Sequence, residues 1–214
     1  MFPVHHLELA LQCEAVYDCR GPDLWSVAEN DVLVVELEDR VRLACCGTQA
    51  RDSVFNGNFT WEGLSNARDI AKDLRFWPYE VLPGVWVHKG FGRAALVWAE
   101  HFALELVKFG KPLEITGHSL GGGMAPILAM VLKEMGFDVL EVVTFGEPAG
   151  FYFGSEKKYQ ALNIPTTSYL NANDWIRFAP PVGSTSVPRT RINPKKGISR
   201  KAHDIREYTV ALAG

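Results

Sequence analysis

The chain is defined first by what it lacks. None of its 214 residues form an apolar run near the roughly 18 that a membrane helix needs. The smoothest run, Met124 to Leu132, has the length of a buried core helix. The start, "MFPVHHLELA", has neither the basic opening nor the apolar stretch of a signal peptide, which predicts a cytoplasmic protein unless a secretion signal has been trimmed. Charge of one sign is scarce too. A formal net charge of −3 argues against a nucleic-acid partner. Cysteine is limited to Cys13, Cys19, Cys45 and Cys46, with no CxxC or Cys/His spacing that would hold zinc. Reduced, mostly buried thiols are the expectation, in keeping with an intracellular origin. Internal repeats and low-complexity tracts are absent.

What is present suits one domain over residues 1–214. Hydrophobic residues make up 47% of the chain, enough for a sizeable core without staples. Residues 4–17 read as a helix with Val4, Leu7 and Leu11 on one face. "DVLVVELEDRVRLACCGT" reads as strands 32–37 and 40–46 around a Glu38-Asp39 turn, with Cys45 and Cys46 on opposite faces. A helix is predicted over 65–74, and "GVWVHKGF" (84–91) starts as a strand. Phe91, Ala95, Trp98, Phe102, Leu106 and Phe109 step by three or four along a long helix that Gly110 and Pro112 end. Strands at 113–116, 140–145 and 166–172 and helices at 120–135 and 204–212 complete the pattern. Alternating strand and helix predicts an α/β fold: a mostly parallel central sheet, helices on both faces and an antiparallel edge from the first hairpin.

"TGHSLGGG" (116–123) lies between a predicted strand and a predicted helix. Gly117-His118-Ser119-Leu120-Gly121 is the G-x-S-x-G nucleophile elbow in that context, with the serine on a sharp turn above the sheet. Side chains two before and two after the serine would collide, so glycine fills both positions. The helix start also aims unpaired N–H groups at the site.

A serine hydroxyl needs a base, and the base needs an orienting acid. The chain order in such folds is serine, acid, histidine. Of the six histidines only His203 follows Ser119 at a distance. His118 is adjacent and reads as a structural hydrogen-bonding residue, as does His88. His101 reads as solvent-facing or at the core rim, and His5 and His6 as surface residues. The acid belongs at a strand's carboxyl end, where Asp174 is the candidate and Glu147 the competitor; Asp138 lies at the wrong end. Two donors must hold the oxyanion: the N–H of Leu120 and, past strand 40–46, that of Thr48.

These segments together resemble the class three lipases, the fungal-lipase-like branch of the α/β hydrolases, over most of the chain. "CCGT" is similar to the family's "FRGT", "TGHSLGGG" to its elbow and "VVTFGEPAGF" to its "TFGxPRVG". "NDWIRFAPP" resembles the segment with its aspartate, and "HDIREY" its final histidine region. The resemblance implies Ser119 as nucleophile, Asp174 as acid, His203 as base, and Thr48 and Leu120 as oxyanion donors, with no metal or cofactor. Departures are Cys45-Cys46 in place of "FR", Ala149 in place of an arginine, and Pro126 inside the elbow helix.

The resemblance also places a lid at 49–66, with Phe55, Phe59 and Trp61 as substrate-binding candidates over an apolar groove; the alternative is a fixed loop with those aromatics packed in the core. Between Arg189 and Lys201 six basic residues occur without an acid, which reads as a solvated basic loop or as a contact for an acidic interface. The implied activity is hydrolysis of a small-molecule or lipid ester, with transient contact at a lipid interface. Transacylase, phospholipase A1-type and feruloyl-type esterase activities share every catalytic residue. A non-catalytic binding module that kept the fold is the reading from another class.

Overall fold

A computed structural model of the chain describes residues 2–18, 23–28, 30–46, 77–193, 197–199 and 201–214. The helix predicted over 65–74 lies outside the described residues.

Among the described residues the central sheet has seven strands. In chain order they are β1 (Leu24–Val27), β2 (Asn30–Glu36), β3 (Val41–Cys45), β6 (Leu113–His118), β7 (Val139–Phe145), β9 (Thr166–Asn171) and β10 (Thr190–Ile192), and they lie side by side in that order. β1, β2 and β3 pair antiparallel, and every pairing from β3 to β10 is parallel. β6 lies inside the sheet, covered on both faces and buried throughout, yet its side chains alternate: Leu113 and Ile115 face one hydrophobic cluster, while Thr116 and His118 meet Cys13 and Tyr17 on the opposite side. Three shorter strands, β4 (Pro78–Leu82), β5 (Val85–His88) and β8 (Phe151–Tyr152), form a second antiparallel sheet.

Helices α2 (Lys89–Phe109) and α3 (Leu120–Glu134) pack on one face of the central sheet, α1 (Val4–Asp18) and α5 (Ile205–Ala213) on the other; the short α4 (Glu156–Ala161) lies between β8 and β9. Side-chain alternation in β7 divides the core. Val142 joins the cluster under α2 and α3, while Val143 and Phe145 join Leu9, Tyr208 and Leu212 under α1 and α5. α2 ends where its sequence predicts: Gly110 adopts φ 59° and its N–H bonds to the Val107 carbonyl. α3 runs through Pro126 without ending there.

The structure corrects three expectations here. Of the predicted face of α1, Leu7 is partly buried against the core, but Val4 and Leu11 are exposed, and the buried stripe is His6, Leu9, Ala10, Cys13 and Val16. The sheet face beneath it is partly polar, so hydrophobicity alone indicated the wrong side. There Cys13 meets Thr116 at 3.3 Å, Tyr17 meets His118 at 2.7 Å, and Glu114 is paired with Arg40 and Arg42. His6 is therefore a buried residue rather than a surface one, whereas His5 is exposed. The 189–201 stretch is not a free loop either. It contains β10, and Arg189 is partly buried, donating to the carbonyls of Glu147 (2.8 Å) and Arg177 (3.4 Å).

Cys13, Cys45 and Cys46 are buried free thiols, and Cys45 and Cys46 fall in different core clusters. Burial pushes the Cys13 thiol up to about 12 and the Cys45 thiol well above its ordinary value, which leaves both unreactive.

Candidate active site

β6 ends at His118 and α3 begins at Leu120, so the chain reverses within Ser119. Ser119 has φ 57° and ψ −123°, a region L-residues rarely occupy, at a cost of about 1–3 kcal/mol. Its N–H bonds to the Phe145 carbonyl at 3.0 Å, and its hydroxyl does not cap the helix. The flanking glycines are required by space. A Cβ on Gly117 would sit 2.3 Å from the Gly121 carbonyl oxygen, and one on Gly121 would sit 1.9 Å from that of Cys45. Both obstacles are backbone and cannot swing aside.

Ser119 Oγ lies 2.7 Å from His203 Nε2, and His203 Nδ1 lies 2.8 Å from Asp174 Oδ2. All three residues are buried. Asp174 follows β9 and caps the 3-10 segment Trp175–Phe178, its Oδ1 accepting from the Ile176 N–H at 2.8 Å. The same Oδ2 that meets His203 also accepts from the Tyr208 hydroxyl at 2.6 Å. Burial alone would raise the Asp174 pKa. The adjacent His203 and the three donors outweigh it and hold the carboxyl below its ordinary value. For Tyr208, burial and the neighbouring Asp174 charge push the phenol well above its ordinary value, so it remains a donor.

His203 closes the 3-10 segment Lys201–His203, and its backbone is tied down on two sides. Asn171 Nδ2 donates to the Ala202 carbonyl at 2.8 Å, and His118 Nε2 lies 2.7 Å from the His203 carbonyl oxygen. Burial drives the His118 pKa down to about 3, so the ring is neutral. A neutral His118 must then donate from Nε2 to that carbonyl and accept at Nδ1 from the Tyr17 hydroxyl. Gly146, at φ 59°, passes so close that a Cβ there would meet the His203 ring at 3.1 Å. Leu120 is the first residue of α3, so its N–H has no partner within the helix and sits directly after the nucleophile position.

The sequence left two acids open, and the geometry separates them. Glu147 is fully engaged elsewhere: its carboxylate accepts from Thr144 Oγ1 (2.8 Å), the Ser186 N–H (2.7 Å) and Ser186 Oγ (3.0 Å). Burial raises its pKa. Only Asp174 reaches His203. His118 has the structural hydrogen bonds expected of it, His88 is buried at the end of β5, and His101 is exposed. Thr48, the 49–66 segment and its Phe55, Phe59 and Trp61 lie outside the described residues, as do Lys195, Lys196 and Arg200.

Sequence reasoning missed Tyr208, Tyr17 and Asn171. Tyr208 stood in plain view in "HDIREY", five residues after His203, but nothing in a single sequence shows that a helical tyrosine turns back onto a carboxylate. Phe178, Val182 and Ile198 are exposed apolar side chains on the segments that flank Asp174.

The site can be set beside known proteins. No curated protein matches the chain by sequence at a significant level. Among solved structures, the triacylglyceride lipase of Rhizomucor miehei is similar with a TM-score of 0.63 at 20% identity, over 89% of this chain and 80% of that one. Lipase II from Rhizopus niveus gives 0.61 at 16% identity, over 84% and 77%. A triacylglycerol lipase whose catalytic centre is described as a serine protease triad gives 0.58 at 24%, over 82% and 71%. At these identities the likeness establishes the fold, an α/β hydrolase. The family model for class 3 lipases matches residues 58–183, more than half of the sequence, and takes in the elbow and the Asp174 segment. On that match the chain belongs to the class 3 lipase family.

Proposed function

We propose that the chain hydrolyses carboxylic esters through an acyl-enzyme intermediate on Ser119. His203 Nε2 takes the hydroxyl proton as Ser119 Oγ attacks the ester carbonyl carbon. Asp174 keeps the Nδ1–H tautomer and stabilises the imidazolium that forms. The developing oxyanion is held by the N–H of Leu120 and by Thr48. Collapse expels the alcohol, which takes its proton from His203. Water then attacks the acyl-serine with His203 as base again, releasing the acid and restoring Ser119. The observation that carries this reading is the continuous hydrogen-bonded line from Ser119 through His203 to Asp174.

For the substrate we infer a lipid or short-chain ester. Two observations support it: the structural relatives are named as triacylglycerol lipases, and apolar Phe178, Val182 and Ile198 stand exposed around the Asp174 segment, suited to transient contact with a lipid surface. The test is a chain-length series of nitrophenyl esters beside emulsified triglyceride, with an active-site titrant to count acylated serines. Stoichiometric burst acylation that Ser119→Ala abolishes supports the reading. A folded protein with no burst on any ester would overturn it in favour of a binding module. Product analysis with an added alcohol acceptor separates hydrolysis from acyl transfer.

A further inference from the structure

Away from the triad, the first turn of α1 meets β7 through three side chains. His5 Nε2 lies 3.0 Å from Glu141 Oε2, and His6 Nε2 lies 2.9 Å from Glu141 Oε1. The three candidate ligand atoms all lie within 4.8 Å of one another. The two rings stand nearly perpendicular, with centroids 4.2 Å apart, so that consecutive residues of one helix aim the same nitrogen at one carboxylate.

We propose that His5, His6 and Glu141 form a binding site for a divalent transition-metal ion of the zinc class, strapping the N-terminal helix to the central sheet. Two imidazoles and a carboxylate are the ligand set that zinc favours, with bonds of about 2.0–2.2 Å. Tetrahedral coordination with such bonds spaces ligand atoms about 3.3 Å apart. The two N···O separations of 2.9 and 3.0 Å would open slightly, and the set of three, all within 4.8 Å, would draw together around one ion. His5 is half-exposed, which provides the adjustment and leaves the fourth position to water, whereas His6 is buried and fixed.

The outer nitrogen of His6 supplies the second argument. His6 Nδ1 lies 2.8 Å from the Tyr169 hydroxyl, an oxygen in the place where the outer nitrogen of a metal-bound histidine usually meets a carboxylate, carbonyl or water. A tyrosine hydroxyl both donates and accepts. Without an ion, Tyr169 donates to Nδ1 and the Nε2–H points at Glu141. With an ion, the proton sits on Nδ1 and is donated to the Tyr169 oxygen, which frees the Nε2 lone pair for the metal. Glu141 lies four residues before the end of β7, about 13 Å along the strand from Phe145 and the triad, so the ion would be a structural strap and not a participant in ester chemistry.

The experiment is a calorimetric titration of the metal-free full chain with zinc chloride. Expected are one bound zinc with a dissociation constant on the order of micromolar and a rise in melting temperature of about 5 °C or more at saturating zinc. His5→Ala and Glu141→Gln, each checked for folding by circular dichroism, should weaken binding at least about tenfold and abolish the melting shift. His203→Gln should bind as the wild type does, which excludes the triad histidine as the ligand. Absence of wild-type binding, or equal binding by the folded His5→Ala and Glu141→Gln variants, overturns the proposal. The readout is metal binding alone, so it is independent of the esterase reading.

Discussion

Replacing Asp174 by asparagine tests the proposed reaction at its most constrained atom. Oδ2 accepts from both His203 Nδ1 and the Tyr208 hydroxyl, and Oδ1 accepts from the Ile176 N–H. An asparagine offers one acceptor where two are needed. If its oxygen takes the Oδ1 position, the amide NH2 faces two groups that are themselves donors. His203 must then move its proton to Nε2, and it can no longer accept from Ser119. If the oxygen takes the Oδ2 position, the NH2 confronts the Ile176 N–H within a buried turn. Either arrangement also removes the charge that stabilises the imidazolium. A loss of about 10⁴ in kcat/KM follows, or roughly 5 kcal/mol of transition-state stabilisation. Glu147→Gln, by contrast, disturbs the contacts with Thr144 and Ser186 and none with His203. It should cost about 1–3 kcal/mol of stability and leave turnover within about tenfold. The assay is steady-state hydrolysis of nitrophenyl butyrate with folding checked by circular dichroism. A folded Asp174→Asn variant within tenfold of wild type, or a larger loss in Glu147→Gln, would refute the assignment of the acid.

The remaining expectations concern the rest of the site. Ser119→Ala should lower ester hydrolysis by a factor on the order of 10⁴ or more while melting near the wild-type temperature; near-normal turnover would move the nucleophile elsewhere. Tyr208→Phe removes one hydrogen bond to a buried carboxylate, worth about 1.5–3 kcal/mol, so kcat/KM should fall about 10- to 100-fold, and an unchanged value would show that Asp174 does not need it. Gly121→Ala forces a Cβ against the Cys45 carbonyl and should prevent folding to a soluble protein, which expression and thermal melting would reveal. His118 has its pKa depressed to about 3 by burial, so below its unfolded pKa of about 6.5 the unfolded chain binds a proton that the folded chain does not. Its contribution to stability is intact above pH 6.5 and is lost at up to about 1.4 kcal/mol per pH unit as pH falls towards 3. Urea melts of wild type and His118→Asn across that window should converge at low pH, and parallel curves would show that His118 is not the group responsible.

Sequence and structure divided the determination of this protein along a physical line. Local rules sufficed where neighbours in the chain act on each other. Gly117, Gly121 and the strand-to-helix change around Ser119 declared the elbow, because the steric demand is satisfied within a few residues. Periodicity gave α2, α3 and the parallel strands, and Gly110 marked where α2 stops. The same local reading failed for α1, whose buried stripe includes His6 and rests on a sheet face carrying Glu114, Thr116 and His118. There burial is decided by hydrogen-bond partners more than a hundred residues away, which no hydrophobic pattern records. The choice between Asp174 and Glu147 was of the same kind: both follow parallel strands in the sequence, and only the path of the chain brings one to His203 and ties the other to Ser186. Tyr208 on Asp174, Tyr17 on His118 and the pair of histidines on Glu141 likewise exist only after the sheet and its helices have assembled, because each joins segments that are separated in sequence and meet through packing alone.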